Sequence, residues 1–405
     1  MPQMNVVIVG AGIAGLALAA ALRRSGVDVV VYEQAPRLFE VGAGVQLAPN
    51  ATRLLHRLGL AEQLRTVAVL PQTIEMRRWN DGELLRRTPL GESCRDRFGA
   101  PYYTLHRADL HACLLGLSPP EQIRLNARCI GVTQTADSAQ LRFADAASVK
   151  ADLVVGADGI RSVVRKHLAV DTPRYSGQTI YRGLVPADRV PHLVAEPAVR
   201  LWLGPDQHCV CYPVSSGQQV SFGATVPAVD WREESWTARG TVGDLASRYQ
   251  GWHPDVTRLI GAVDVVSRWA LHDRESLDRL SHGRVVLIGD AAHPMLPFQA
   301  QGANQAIEDA AVLARCLEAA SRDGLPAALR RYEQIRLPRT SRIQAESRAG
   351  AGTLHLADGT AQRLRDVAAG TSSGLDRHQW LFEYDAEGAV TAPAVAVEDR
   401  TSGRS

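Results

Sequence analysis

One stretch near the start, NVVIVGAGIAGLALAAALRRSGVDVVVYEQ (5–34), constrains this chain more than any other. An apolar run, Asn5 to Val9, enters Gly10-x-Gly12-x-x-Gly15. A small-residue helix follows to about Arg24, and a second apolar run ends in Glu33. That is a βαβ unit of about 30 residues with an acid about 20 residues after the glycines, the context a dinucleotide fingerprint requires. Gly10 makes the tight turn, Gly12 lets a pyrophosphate approach the backbone, and Gly15 lets helix and strand pack closely. Glu33 is placed to accept hydrogen bonds from ribose hydroxyls.

The rest of the chain reads as a parallel core interrupted by a second sheet. A helix is expected over Asn50 to Leu58, then a hairpin turning at Asn80-Asp81-Gly82 between TIEMRRW and ELLRRT. Residues 123–155 read as an antiparallel meander ending in ADLVVGADG, and Ile180 to Val226 is again strand-rich. Helices are expected over Val242 to Tyr249, Pro254 to Ile260 and Asn304 to Ala345, the last broken at SRDGLP. The fold class is α/β, a Rossmann-type domain assembled from 1–72, 98–176 and 272–345. A β-sheet substrate domain is inserted at 73–97 and 177–271. A helical segment at 346–388 and a disordered tail at 389–405 complete the expectation.

Bulk composition excludes several function classes. The 405 residues carry 45 Lys+Arg against 43 Asp+Glu, so no basic field suggests nucleic acid. The 6 cysteines show no C-x-x-C spacing, which argues against disulfides and a zinc site and for a reducing compartment. Cys209 and Cys211 read as small apolar side chains. No run approaches a membrane span, and the first residues enter a strand directly, so the expected location is the cytoplasm.

Three later segments bear on the chemistry. HRADL puts Arg107 at a helix start, where a guanidinium can reach phosphate or polyol oxygens. GADGIRSVVR ends a buried strand in Asp158-Gly159 and is expected to open a helix. GDAAHPMLPFQAQGANQAIEDA (289–310) ends a strand in Asp290, is stiffened by Pro294 and Pro297, and offers bare amides at Gly302, Ala303 and Asn304 on a helix tip that favours negative charge.

In this order and at these distances, the four motifs resemble the FAD-dependent group A aromatic monooxygenases, from about Asn5 to at least Ala345. TPLGESCRDRFGAPYYTLHRADLHA (88–112) and HQWLFEYDAEG (378–388) look most like the salicylate and 6-hydroxynicotinate hydroxylase branch. The resemblance implies the para-hydroxybenzoate hydroxylase architecture and an FAD lying extended. Its ADP would rest on Gly10, Gly12, Ala14, Gly15, Glu33 and Gln34, with Arg107 and Asp290 on its central part and Asp158 in a second nucleotide motif. The flavin ring would lie against Pro297 and the amides of Gly302 to Asn304. The implied chemistry is reduction by NADH or NADPH, addition of O2 at C4a, and delivery of OH to an electron-rich aromatic ring, with no metal. The same scaffold leaves open Baeyer–Villiger, epoxidation or oxidative decarboxylation chemistry, and a flavin-binding module without turnover. Expected partners are a small aromatic substrate and O2, with neither nucleic acid nor membrane; the chain is expected as monomer or homodimer.

Substrate residues must project towards 294–304. His208 and Tyr212 are four apart on a strand and share a face. In the branch named above, H-x-x-x-Y lines the substrate pocket, which gives Tyr212 a bond to a substrate phenol and His208 a proton relay. Gln46 and Phe298 stand where 6-hydroxynicotinate enzymes carry histidines, which argues against a pyridine carboxylate and for a less charged or larger ring. Arg182 can hold a substrate carboxylate, but a structural salt bridge is the favoured reading. His293, before the rigid turn, reads as a loop-fixing hydrogen bonder.

Overall fold

A computed structural model describes residues 4–38, 43–145, 147–227, 239–318, 320–371 and 374–391. Its first layer follows from the opening motif. Asn5–Val9 is buried on both faces and pairs in parallel with Asp28–Tyr32 and Leu153–Gly156. Leu153–Gly156 in turn pairs in parallel with Val285–Leu287. Ser281–His282 and Ile123–Arg124 complete the two edges of this six-stranded sheet. Because these central strands run the same way, their carboxyl ends share one edge. Gly10, Glu33, Asp158 and Asp290 therefore converge there, the crevice where open α/β sheets bind ligands.

Two glycines make the convergence possible. Gly10 has φ of +106°, and a Cβ on it would fall 2.4 Å from the Ala157 carbonyl oxygen. A Cβ on Gly15 would fall 2.0 Å from the Gly10 carbonyl oxygen. The helix Ile13–Arg24 can thus lie directly against the strand, burying Leu16, Leu18 and Leu22. Each such burial contributes roughly 1.5–3 kcal/mol relative to exposure.

The second layer is an eight-stranded sheet. Its order is Arg239–Gly240, Val266–Asp273, Arg174–Pro186, Gln219–Pro227, Gln207–Val214, Ala198–Gly204, Thr73–Arg78 and Leu84–Pro89. Strand alternation sorts its two faces. Tyr181, Cys209, Cys211 and Phe222 join Trp202, Tyr249, Trp252 and Leu259 in one apolar cluster under the helices Val242–Arg248 and Pro254–Gly261. Arg182, His208, Val210 and Tyr212 line a cavity. The six cysteines are free, and Cys209 and Cys211 are buried as apolar side chains. No described helix is long and apolar enough to cross a membrane.

Four local expectations change. Ile123–Arg124 leaves the expected meander and pairs in parallel with Val31 and Tyr32; the antiparallel unit is Cys129–Gln134, Ala139–Phe143 and Val149–Ala151. The helix expected after Asp158 is only a short 3-10 turn, Val164–His167. Asp158 spends its carboxylate on Ser162 Oγ and the amides of Val163 and Val164, and Arg165 turns inward to the carbonyls of Ala291 and Ala292. Both interactions fix a tight turn in place of a helix. The last long helix, Leu325–Leu354, carries Pro338 inside it and runs through residue 345 without interruption. Residues 389–391 of the expected tail belong to the short helix Gly388–Thr391; 392–405 lie outside the described residues.

Candidate active site

A cavity of about 700 Å³ lies between the carboxyl edge of the parallel sheet and the open face of the second sheet. At one end it is lined by Gly10, Gly12, Ala14, Glu33, Gln34, Arg107, Asp158 and Asp290. At the other end stand Gln46, Arg182, His208, Tyr212, Pro297, Gly302 and Ala303. One continuous space thus joins the residues expected for cofactor and for substrate.

The cofactor end has the shape the fingerprint calls for. A Cβ on Gly12 would meet no atom within 4 Å, so this backbone opens onto the cavity without a side chain in the way. Glu33 accepts from the amides of Ala11 and Ala35, both at 2.9 Å, which holds its carboxylate at the strand end. At the far end the helix Gly302–Leu317 begins with Gln301 as its cap residue, and no side chain caps it. Its first amides are the donors a helix tip directs at negative charge. Residues and cavity therefore fit an FAD, whose nucleotide Gly12 and Glu33 would hold and whose ring the helix tip would face.

Rigidity at that tip comes from beneath. Ala300, just before the helix, has φ of +51°, a left-handed conformation that needs support from its surroundings. Ser347 donates to the Leu296 carbonyl, and Gln344 donates to the Pro294 carbonyl at 3.0 Å. Asp309 accepts from the Gly289 amide, binds the Arg336 guanidinium and meets His293 Nε2. Glu308 is held by Arg336, Arg339 and Asn50. Burial pushes the Glu308 carboxyl upward, but Arg339 and Arg336 outweigh it and hold it below the usual range. His293 is accordingly a fastening of the turn.

Three expected site residues do not line the cavity. Gly15 packs behind it against Gly10. The Asn304 side chain donates to the carbonyls of Gln46 and Ala300 and accepts from the Ala48 amide, so it ties the helix tip to the strand Gly44–Leu47. Phe298 is turned by the 3-10 turn Pro297–Gln299 onto two imidazoles, 5.6 Å from the His208 ring centre and 5.4 Å from that of His355.

The salt bridge favoured for Arg182 is not formed: no carboxylate among the described residues pairs with it. Its strand partners are Gly223 and Ser267, and its guanidinium carbon sits 4.7 Å from the centre of the Trp269 ring. Its Nε is buried without a hydrogen-bond partner. Burial lowers its pKa from the ordinary arginine value; Tyr212 opposes the shift and Arg107 adds to it. Beside it, burial raises the Tyr212 phenol although Arg182, Gln46 and Ser221 pull the other way, so the hydroxyl stays protonated at neutral pH. Tyr102 donates to Gln46 Oε1 at 2.7 Å, so Gln46 stands between two tyrosines. His208 is driven down to about 3 by burial and by His355, whose Nε2 lies 2.7 Å from its Nδ1.

Sequence reading missed Tyr102, Ser221 and His355. Tyr102 lay within a quoted motif but had no partner until the strand Gly44–Leu47 paired with Tyr103–His106. His355 is delivered by the end of a 30-residue helix, and no local signal marks it.

The FAD binding domain family matches residues 3–347. A 3-amino-4-hydroxybenzoate 2-monooxygenase of Streptomyces platensis is 49% identical over 382 residues, covering 94% of this chain and 96% of that protein. A 6-hydroxynicotinate 3-monooxygenase of Bordetella bronchiseptica is 37% identical over 346 residues, 85% of this chain and 90% of that protein. Among solved structures, Klebsiella pneumoniae HpxO complexed with FAD and uric acid superposes with a TM-score of 0.84 at 27% identity, covering 96% of this chain and 97% of that one.

Proposed function

The chain belongs to the FAD binding domain family and is one of its FAD-dependent aromatic monooxygenases, and from that premise we propose that its substrate is an aminohydroxybenzoate, with 3-amino-4-hydroxybenzoate first in line. The observation that carries the substrate class is Arg182, a cavity guanidinium whose Nε is buried without a partner and which has no carboxylate on it among the described residues. An unpaired buried cation is costly, and a substrate carboxylate relieves that cost. This revises the expectation of a less charged ring. The relative at 49% identity, whose name gives a benzoate bearing amino and hydroxyl groups, supports the same reading.

The residues then divide the work. Arg182 takes the carboxylate and fixes the ring's orientation. Tyr212, kept protonated, donates to the ring hydroxyl or its phenolate, and Gln46 and Ser221 hold that phenol in place. Pro297 and the Gly302 tip close the cavity beside the reacting carbon and limit water. When bound, FAD would supply the redox chemistry, with NADH or NADPH and O2, that adds one oxygen atom to the ring. We place the enzyme in the cytoplasm, as a monomer or homodimer using O2 and a reduced pyridine nucleotide.

The test uses FAD-loaded protein. With 3-amino-4-hydroxybenzoate, nucleotide oxidation should rise and a product one oxygen atom heavier should form. 2-Aminophenol, which lacks the carboxylate, should stimulate weakly. Equal stimulation by both, or none by the acid, would remove the benzoate assignment.

A further inference from the structure

The second imidazole beyond His208 has no place in the function described so far. His208 lies on the strand Gln207–Val214, lines the cavity and is 5% exposed. Its Nδ1 meets Nε2 of His355, which does not line the cavity, at 2.7 Å, leaving His208 Nε2 as the nitrogen available to a substrate. Thr225 Oγ1 sits beside both nitrogens, 3.1 Å from the first and 3.4 Å from the second. His355 caps the helix Leu325–Leu354 and is only partly buried. Phe298 meets the two rings edge-on and closes the pair's apolar side. One imidazole faces the substrate, the next reaches the outside, and a short hydrogen bond joins them.

We infer that His208 and His355 form a proton path from the ring hydroxyl of the bound substrate to solvent, with His355 as its outer station. The step balances without any co-reactant. The substrate O–H gives its proton to His208 Nε2, His208 Nδ1–H passes one to His355 Nε2, and His355 Nδ1–H releases one to water. Substrate is left as the more electron-rich phenolate. Reprotonation of the product hydroxyl at release runs the path backwards and restores both tautomers. Tyr212 stabilises the phenolate but offers no route out, since it lies inside the cavity. The charged group acting on His355 is Asp206, in the turn before the His208 strand; the turn and helix are joined by Asp206 N–H donating to the His355 carbonyl at 3.1 Å. On His208 the titratable group that acts is His355 itself. Thr225 holds the two nitrogens in register, and the Tyr249 hydroxyl, on the helix side, donates to the His208 carbonyl.

This rests on the proposed substrate's ring hydroxyl but is tested apart from turnover. The probe is 4-hydroxy-3-nitrobenzoate, whose phenolate is coloured, bound to the FAD-loaded enzyme. After a rapid pH jump, its colour should follow external pH quickly in wild type. His355→Phe keeps a ring against Phe298 and should leave probe affinity unchanged, yet slow the colour change by about a hundredfold, the lower side of general acid–base effects. Imidazole in the buffer should restore the rate, which no packing defect would allow. A second readout needs no ligand: histidine-selective nitrogen NMR should show solvent exchange at the His208 ring slowed in His355→Phe. Unchanged colour kinetics, a loss that imidazole does not restore, or unchanged NMR exchange would each overturn the path. An enzyme that hydroxylates no aminohydroxybenzoate, yet shows these kinetics, would sink the substrate assignment and leave the path standing.

Discussion

Arg182 lies over Trp269, its guanidinium carbon 4.7 Å from the indole ring centre, and its Nε finds no acceptor. The indole face supports the cation without neutralising it. The remaining donors are left for a ligand. Arg182→Met keeps the stack apolar and removes the charge. A charge-assisted hydrogen bond contributes about 1.5–3 kcal/mol, so the KM for 3-amino-4-hydroxybenzoate should rise by about tenfold or more, with FAD binding intact. The check is steady-state kinetics on acid and decarboxylated ring side by side, since only the acid should suffer.

The two fingerprint glycines separate folding from binding. Gly12→Ala adds a methyl group that touches no protein atom within 4 Å, so the apoprotein should melt where wild type does. It fills space a pyrophosphate needs, and the FAD Kd should rise by about tenfold or more, the loss of one charge-assisted bond. Gly15→Ala places its methyl 2.0 Å from the Gly10 carbonyl oxygen and should destabilise the apoprotein itself. Calorimetry with and without FAD distinguishes the two patterns.

How much of this could be read from the chain alone depends on range. The βαβ unit is local: its glycines, apolar runs and terminal Glu33 lie within one stretch, and the structure keeps all of them. Asp158 was recognised, but its turn depends on Ser162 and on Arg165 reaching residues 291 and 292, more than a hundred positions away. For Arg182 a structural salt bridge is the favoured reading from sequence; its lack of a carboxylate partner among the described residues is a property of the assembled sheet. Phe298 was aimed into the pocket, yet a single 3-10 turn rotates it onto His208 and His355. Alternation along His208-Cys209-Val210-Cys211-Tyr212 did carry over, because a strand's period of two survives any tertiary context.

The ion cluster beneath the helix tip should behave as a unit. Arg336 is fully buried and binds both Glu308 and Asp309. Arg336→Leu leaves two carboxylates short of a partner in the interior, a loss of about 3–5 kcal/mol. Urea unfolding of the apoprotein should show it as a lower midpoint. Glu308→Gln, which keeps hydrogen bonding to Asn50 and Arg339, should cost less.

Acid should weaken the fold through its buried histidines. Burial, followed by Arg86 and Arg377, lowers His378 to about 4 from 6.5. Between those values the unfolded chain binds a proton that the native chain refuses. This contribution to stability is present above pH 6.5 and is lost as pH falls towards 4. His378→Phe keeps the stack on Phe382 and removes the proton, so melting temperature should fall less steeply across that window than in wild type. His208 and His355, lowered to about 3 and about 4 by burial, act with the same sign and preserve part of the slope.

The central claim joins one cavity to one ligand pair: a flavin at the Gly302 tip and an aromatic acid on Arg182. A crystal structure of the FAD-loaded chain with 3-amino-4-hydroxybenzoate tests it most directly. The expected result is the flavin ring beside Pro297 under the Gly302 to Asn304 amides, with the carboxylate on Arg182 and the ring hydroxyl on Tyr212. A flavin seated away from that tip, or an acid bound with its carboxylate facing away from Arg182, would contradict it.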